Sequence, residues 1–179
     1  MPKKLSPNQR KKMGEMKIHA GVITISDRGY RGERKDKSGS EIISMLESMD
    51  ITILHSKIIP DDKELIEEAL RDYADVKKLD LILTTGGTGV SPRDVTPDAT
   101  LQVIEKEVPG MAEAMRRESA AVTPHAMISR AVAGIRGASL IINLPGSPKG
   151  VRENLAVVLP AINHAIEKIK GDERDCGTE

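Results

Sequence analysis

Along the chain, short runs of aliphatic and β-branched residues alternate with longer stretches in which apolar residues recur every three to four positions. The runs at 18–26, 51–59, 79–85 and 139–144 have the length and composition of strands buried on both faces. Between them, Ile42, Ile43, Leu46 and Met49 share one face of a helix predicted over 38–49. Leu65, Ile66, Ala69, Leu70 and Tyr73 form the stripe of another over 63–76. Helices are also predicted over 97–107, 111–119 and 151–170; the last buries Leu155, Val158, Leu159, Ile162 and Ile166, with a kink expected at Pro160. Residues 30–37 read as charged and flexible, and 121–133 carry no clear period. Strands alternating with helices predict a three-layer α/β fold, its mostly parallel sheet covered by helices on both faces. One domain is expected over 17–170, between a basic tail at 1–16 and a polar tail at 171–179.

The polar residues cluster where predicted strands end: Ser26-Asp27-Arg28, Pro60-Asp61-Asp62, Gly86-Gly87-Thr88-Gly89 and Gly146-Ser147-Pro148-Lys149. In a parallel sheet all four turns fall on the carboxyl edge, where ligands bind. Gly86, Gly87, Thr88 and Gly89 offer backbone N–H groups and a hydroxyl to a phosphate or polar heterocycle. Gly146, Ser147 and Lys149, ahead of a helix, offer a second anion pocket. Asp61 and Asp94 lie on the same edge, and acids beside anion pockets call for a bridging cation, for which Mg²⁺ is the usual choice. Two phosphate-sized pockets with metal-binding carboxylates point to phosphoryl or nucleotidyl transfer.

Each signal also has a plainer meaning. The glycines could serve only a tight turn, Asp61 could cap the helix that starts at Lys63, and Ser147 and Lys149 could be turn and helix-surface residues. Ser129-Arg130 could be ordinary surface or a contact between copies. Thr96 is expected as an N-cap with Pro97 in the first helical position, which leaves Asp94 before the cap with no structural duty. His19, His55, His125 and His164 lack metal-ligand spacing.

Composition narrows the classes. The chain has 179 residues, no Trp or Phe, and only Tyr30 and Tyr73, so it can hardly build a base-stacking platform. Its formal net charge is zero, which gives polyanions no general attraction; nucleic acid is not an expected partner. Cys176 alone makes no internal disulfide. No run has membrane-spanning length and no signal-peptide core follows the N-terminus, so a cytoplasmic protein is expected. A Walker A loop is absent, and Pro92 stands at the third glycine of the dinucleotide fingerprint, which argues against a nicotinamide-dependent dehydrogenase.

Thr84-Thr85-Gly86-Gly87-Thr88-Gly89 with Pro92-Arg93-Asp94-Val95-Thr96-Pro97-Asp98-Ala99-Thr100 resembles the signature of the molybdopterin adenylyltransferases: bacterial Mog-type proteins and the G domains of gephyrin and related proteins. Ile25-Ser26-Asp27, Ile59-Pro60-Asp61, the 123–130 segment, Gly134-Ile135-Arg136-Gly137 and the 140–150 segment continue it in the same order. The resemblance implies Mg²⁺-dependent transfer of AMP from ATP to the terminal phosphate of molybdopterin, with release of pyrophosphate. It implies that Asp61 and Asp94 are the essential, metal-positioning acids. Gly86, Gly87, Thr88 and Gly89 are then expected on the pterin side, and Ser26 and Asp27 on the nucleotide side. Ser129, Asn143, Gly146, Ser147 and Lys149 are expected to complete the pocket. A molybdenum insertase-type partner and a trimer, or a hexamer, are implied as well. The alternative is a non-catalytic molybdopterin-binding or scaffold protein of the MoaB type.

Overall fold

The computed structural model describes residues 17–172; the expected basic tail, Cys176 and most of the polar tail lie outside them. One six-stranded sheet has the spatial order β2-β1-β3-β6-β5-β4. Its parallel part consists of β1 (His19–Ile25), β2 (Thr52–Ile59), β3 (Leu81–Thr85) and β6 (Ser139–Leu144). These are the four strands read from the sequence, each within two residues of its expected ends. Two short strands, β4 (Lys106–Glu107) and β5 (Ala133–Arg136), add an antiparallel edge. They had not been anticipated, because two or four residues are too few to display a period.

Burial follows the alternation of the strands. Val22, Leu81, Leu83, Leu140 and Ile142 face one core with α2 (Lys37–Glu47), α5 (Pro109–Val122) and α6 (Pro148–Ile169). Ile23, Ile25, Ile82 and Ile141 face the other with α3 (Lys63–Arg71), a π-turn at Asp72–Val76 and α4 (Thr96–Val103). The three-layer arrangement is as expected, and each fully buried Ile or Leu contributes about 1.5–3 kcal/mol.

Several local expectations are corrected. Leu65 is 43% exposed and Met49 46%, so neither belongs to the buried stripe of its helix. The helix from Lys63 gives way at Asp72 to the π-turn, which seats the Tyr73 ring against Gly21, where a Cβ would lie 2.5 Å from it. Residues 30–37 are not a loose loop throughout: Asp27–Tyr30 forms one helical turn, α1, capped by Ser26, and Asp36 caps α2. The segment without a period resolves into the end of α5 and a 3₁₀ turn at Pro124–Ile128. Helix α6 runs on through Pro160, which sits on its solvent side.

What matters for function is the crossover. The chain passes from β1 outward to β2, then returns across β1 to β3 on its other side. The carboxyl ends of β1 and β3 are therefore a topological switch point, the place where an open α/β sheet leaves a crevice.

Candidate active site

The crevice at that switch point is a cleft of about 200 Å³ lined by Ser26 after β1, Asp61 after β2, Gly86 and Gly87 after β3, and Gly146 after β6. All four strand-end turns thus lie on one edge, as read from the sequence, but Gly86, Gly87 and Gly146 line one shared cavity where two anion pockets are expected. Its walls are pulled together by Thr85 Oγ1 donating to Pro145 O at 2.6 Å and Ser38 Oγ donating to Gly146 O at 2.8 Å.

Gly86 and Gly87 adopt φ of +102° and +63°. A Cβ on Gly86 would lie 2.2 Å from the Ile25 carbonyl oxygen, so only glycine lets β3 turn this close to β1. The two acids face this turn. The Cβ position on Gly87 lies 3.4 Å from Asp61 Oδ1, and that on Gly89 lies 2.8 Å from Asp94 Oδ2.

Asp61 does not cap α3. Asp62 does so, accepting from the Leu65 N–H at 3.1 Å. Asp61 instead accepts the Asp27 N–H on Oδ2 at 2.8 Å, and Asp27 accepts the Asp61 N–H on Oδ1 at 3.0 Å. Asp27 Oδ2 takes a hydrogen bond from Arg93 at 2.6 Å. That bond holds the Asp27 carboxyl below its usual range, with help from the Asp61 N–H. Burial pushes the Asp61 carboxyl up, and the nearby Asp27 and Asp94 charges add to the effect against the Asp27 N–H and Arg93.

Asp94 does have a structural duty, contrary to expectation. Its Oδ2 accepts the Ser91 N–H at 2.9 Å and closes the 91–94 turn. Nor is Thr96 an N-cap: it is the first residue of α4, is fully buried, and donates its hydroxyl to Gly86 O at 2.9 Å. It thereby braces the glycine turn from below. Thr88 is also buried, at 8% exposure.

Asn143 is not in the cleft. Its side chain is fully buried between β6 and α4, donating to Thr84 and Thr100 hydroxyls at 3.0 and 2.9 Å and accepting the Val132 N–H at 3.1 Å. Every polar position of the amide oxygen and nitrogen that these bonds use is turned into the core. Ser147 caps α6 through the Gly150 N–H, and Lys149 is exposed beside Glu153. Neither lines the cavity, and Ser129, at the end of the 3₁₀ turn, does not line it either.

The sequence reading passed over one wall of the cleft: Arg34, Lys35 and Lys37, all exposed, with Asp36 between them bonded to Thr24 Oγ1 at 2.6 Å. The available signal was the run of cations directly after the first strand-end turn. It was hidden by being read as a flexible, solvated stretch.

With this geometry in view, comparison with known proteins is specific. A family model described as a probable molybdopterin binding domain matches residues 21–164. A molybdopterin adenylyltransferase of Helicobacter pylori is 45% identical over 157 residues, 87% of this chain and 89% of that one. Gephyrin of Dictyostelium discoideum is 47% identical over 156 residues, 82% of this chain but 22% of that longer protein. The crystal structure of the molybdopterin biosynthesis enzyme MoaB from Thermus thermophilus superposes with a TM-score of 0.82 at 47% identity, covering 87% of this chain and 98% of that one.

Proposed function

The chain belongs to the family of the probable molybdopterin binding domain, and from that membership we propose that it is a molybdopterin adenylyltransferase. It transfers AMP from ATP to the terminal phosphate of molybdopterin. An oxygen of that phosphate forms a bond to the α-phosphorus as the bond to the pyrophosphate leaving group breaks. The observation that carries this reading is the pair Asp61 and Asp94, whose carboxylates flank the glycine turn at the β1/β3 switch point: Asp61 lines the cleft beside Gly87, and Asp94 stands just outside its lining, beside Gly89. No covalent nucleophile is required, since the substrate supplies its own.

Adenylyl transfer points to a divalent cation, and Mg²⁺ is the ion proposed. Among the described residues no group of three His, Cys, Asp or Glu could hold a metal unaided. The two carboxylates of Asp61 and Asp94 suit Mg²⁺, which is commonly held by one or two carboxylates together with substrate phosphates and water. Asp61 and Asp94 would hold it, and when bound it would neutralise phosphate charge. The burial that disfavours ionised Asp61 is then offset by the cation.

The other groups bind and orient. The N–H groups of the glycine turn meet phosphate or pterin oxygens. Ser26 and Gly146 bound the cleft, and Arg34, Lys35 and Lys37 offer charge to the polyphosphate of ATP. Asp27 acts by holding Asp61 and Arg93 rather than by touching nucleotide.

Among the described residues no helix is long and apolar enough to cross a membrane. A cytoplasmic trimer or hexamer, working ahead of a molybdenum insertase-type partner, completes the proposal; sedimentation as a stable monomer would overturn the oligomer. The enzyme itself is tested by incubation with molybdopterin, ATP and Mg²⁺. Adenylylated product from the parent, reduced about 100-fold or more in Asp94→Ala, is the expected result. Pterin binding without turnover would favour a MoaB-type binding protein instead.

A further inference from the structure

We infer that Arg130 is a positioning residue that holds the turn bearing Asp94 in its working geometry; the functional half of this inference rests on Asp94 acting in the transfer reaction. Residues 89–95 belong to no strand or helix and are largely exposed, yet they carry an acid whose place must be set closely. Little within the turn does this: Ser91 and Asp94 exchange a backbone bond at 2.9 Å and a carboxylate bond at 2.9 Å.

From outside, Arg93 ties the tip of the turn to Asp27, and Arg130 holds its two ends. Its Nε donates to Gly89 O at 2.8 Å, at the start of the turn, and its Nη2 donates to Asp94 O, at the end. Its own backbone N–H donates to Thr88 O at 2.8 Å. The guanidinium is aimed by a two-point pair with Asp98 at 3.0 and 2.9 Å, from the first turn of α4. The segment carrying Arg130 is itself held by Arg116 of α5, which donates to Ala131 O at 2.8 Å. One planar group therefore joins both ends of the turn to the helix that follows it. A lysine has a single ammonium and lacks the fixed fork needed to serve a carboxylate and two carbonyls at once. The Arg130 guanidinium is engaged with Gly89 O, Asp94 O and the Asp98 carboxylate, so its effect is exerted through the turn.

The full chain carrying Arg130→Ala, Arg130→Lys or Asp98→Asn tests this by two readouts. The first is hydrogen exchange at the Ser91 amide, which reports directly on the Asp94 carboxylate because the two are bonded. Exchange is expected to quicken about tenfold or more in Arg130→Ala, with the amides of β3 unchanged. The second is kinetic. In Arg130→Ala, kcat should fall about 10–100-fold with both KM values within about threefold, and Arg130→Lys should fall nearly as far. Asp98→Asn should move both readouts the same way by less. Arg130→Ala placed on Asp94→Asn should cost little more than Asp94→Asn alone, because the two act as a unit.

Unchanged Ser91 exchange overturns the inference. So does a rise in KM at unchanged kcat, or a full multiplicative loss on the Asp94→Asn background. Should Arg130→Ala not fold, Asp98→Asn decides by the same criteria. A parent that forms no adenylylated product defeats the proposed reaction, while Ser91 exchange still decides whether Arg130 holds the turn.

Discussion

Asp27 and Asp61 exchange hydrogen bonds: each backbone N–H donates to the other's carboxylate, at 2.8 and 3.0 Å. The ends of β1 and β2 are thereby locked, and Arg93 ties Asp27 Oδ2 to the turn that carries Asp94. Three segments far apart in sequence converge on one side chain, and that side chain sets the spacing of the two acids facing the glycine turn.

Removing this junction should be felt as lost turnover. Asp27→Ala leaves the Asp61 N–H without its acceptor and frees Arg93, and product formation should fall about 10–100-fold. Asp27→Asn keeps an oxygen for the Asp61 N–H and should fall less. Initial rates at saturating ATP and molybdopterin measure both; an Asp27→Ala rate equal to the parent's would show that the lock does not position Asp61.

Asp61 and Asp27 should respond to pH in opposite directions. The Asp61 carboxyl is raised above its usual 3.8, chiefly by burial. The folded state therefore holds its proton more tightly than the unfolded chain, and stability declines as pH rises from about 3.8 through the raised value. Asp27 is lowered from 3.8, mainly by Arg93, so its contribution is present above that value and is lost as pH falls through the lowered one. Without Mg²⁺, Asp61→Asn should melt higher than the parent at neutral pH and converge with it at acid pH, while its activity is abolished. Thermal melts from pH 3 to 8 provide the check, and a lower neutral-pH melting temperature for Asp61→Asn contradicts the assignment.

Two glycines separate close approach from simple backbone preference. Gly86→Ala must place a Cβ 2.2 Å from the Ile25 carbonyl oxygen at φ +102°, and a loss of more than about 3 kcal/mol is expected. Gly137→Ala has φ +54° but open space around it, and should cost about 1–2 kcal/mol. Urea unfolding of both variants gives the comparison directly.

Asn143 should behave as a core residue. Asn143→Ala strips partners from the Val132 N–H and from the Thr84 and Thr100 hydroxyls, costing roughly 2–4 kcal/mol of stability. KM for either substrate, measured below the variant's melting temperature, should change by less than about threefold. A large rise in KM without lost stability would return Asn143 to the binding site.

The four long parallel strands, the helices between them and the convergence of their polar turns were legible in the chain, because each depends on local period and on a general rule for parallel sheets. The resemblance to a known family rested on the same stretch of residues. Which acid at 61–62 caps a helix was not legible. Both are Asp, both follow Pro60, and the choice is made by an N–H at Asp27, far away in sequence. Asn143 is expected in the pocket on the family resemblance alone. Strand parity turns it away from the larger core, and two threonines from β3 and α4 receive it.

The sequence by itself determined the layers, the strand ends and the glycine turn, since these follow from periodicity and from the conformations glycine alone tolerates. The tertiary structure decided how the polar residues divide between holding the site and acting in it. Asp27, Arg93, Thr96 and Arg130 hold, while Asp61 lines the cleft and Asp94 lies beside Gly89 of the glycine turn. That division depends on hydrogen bonds between distant segments, whose partners are chosen only when the sheet order brings their strand ends together.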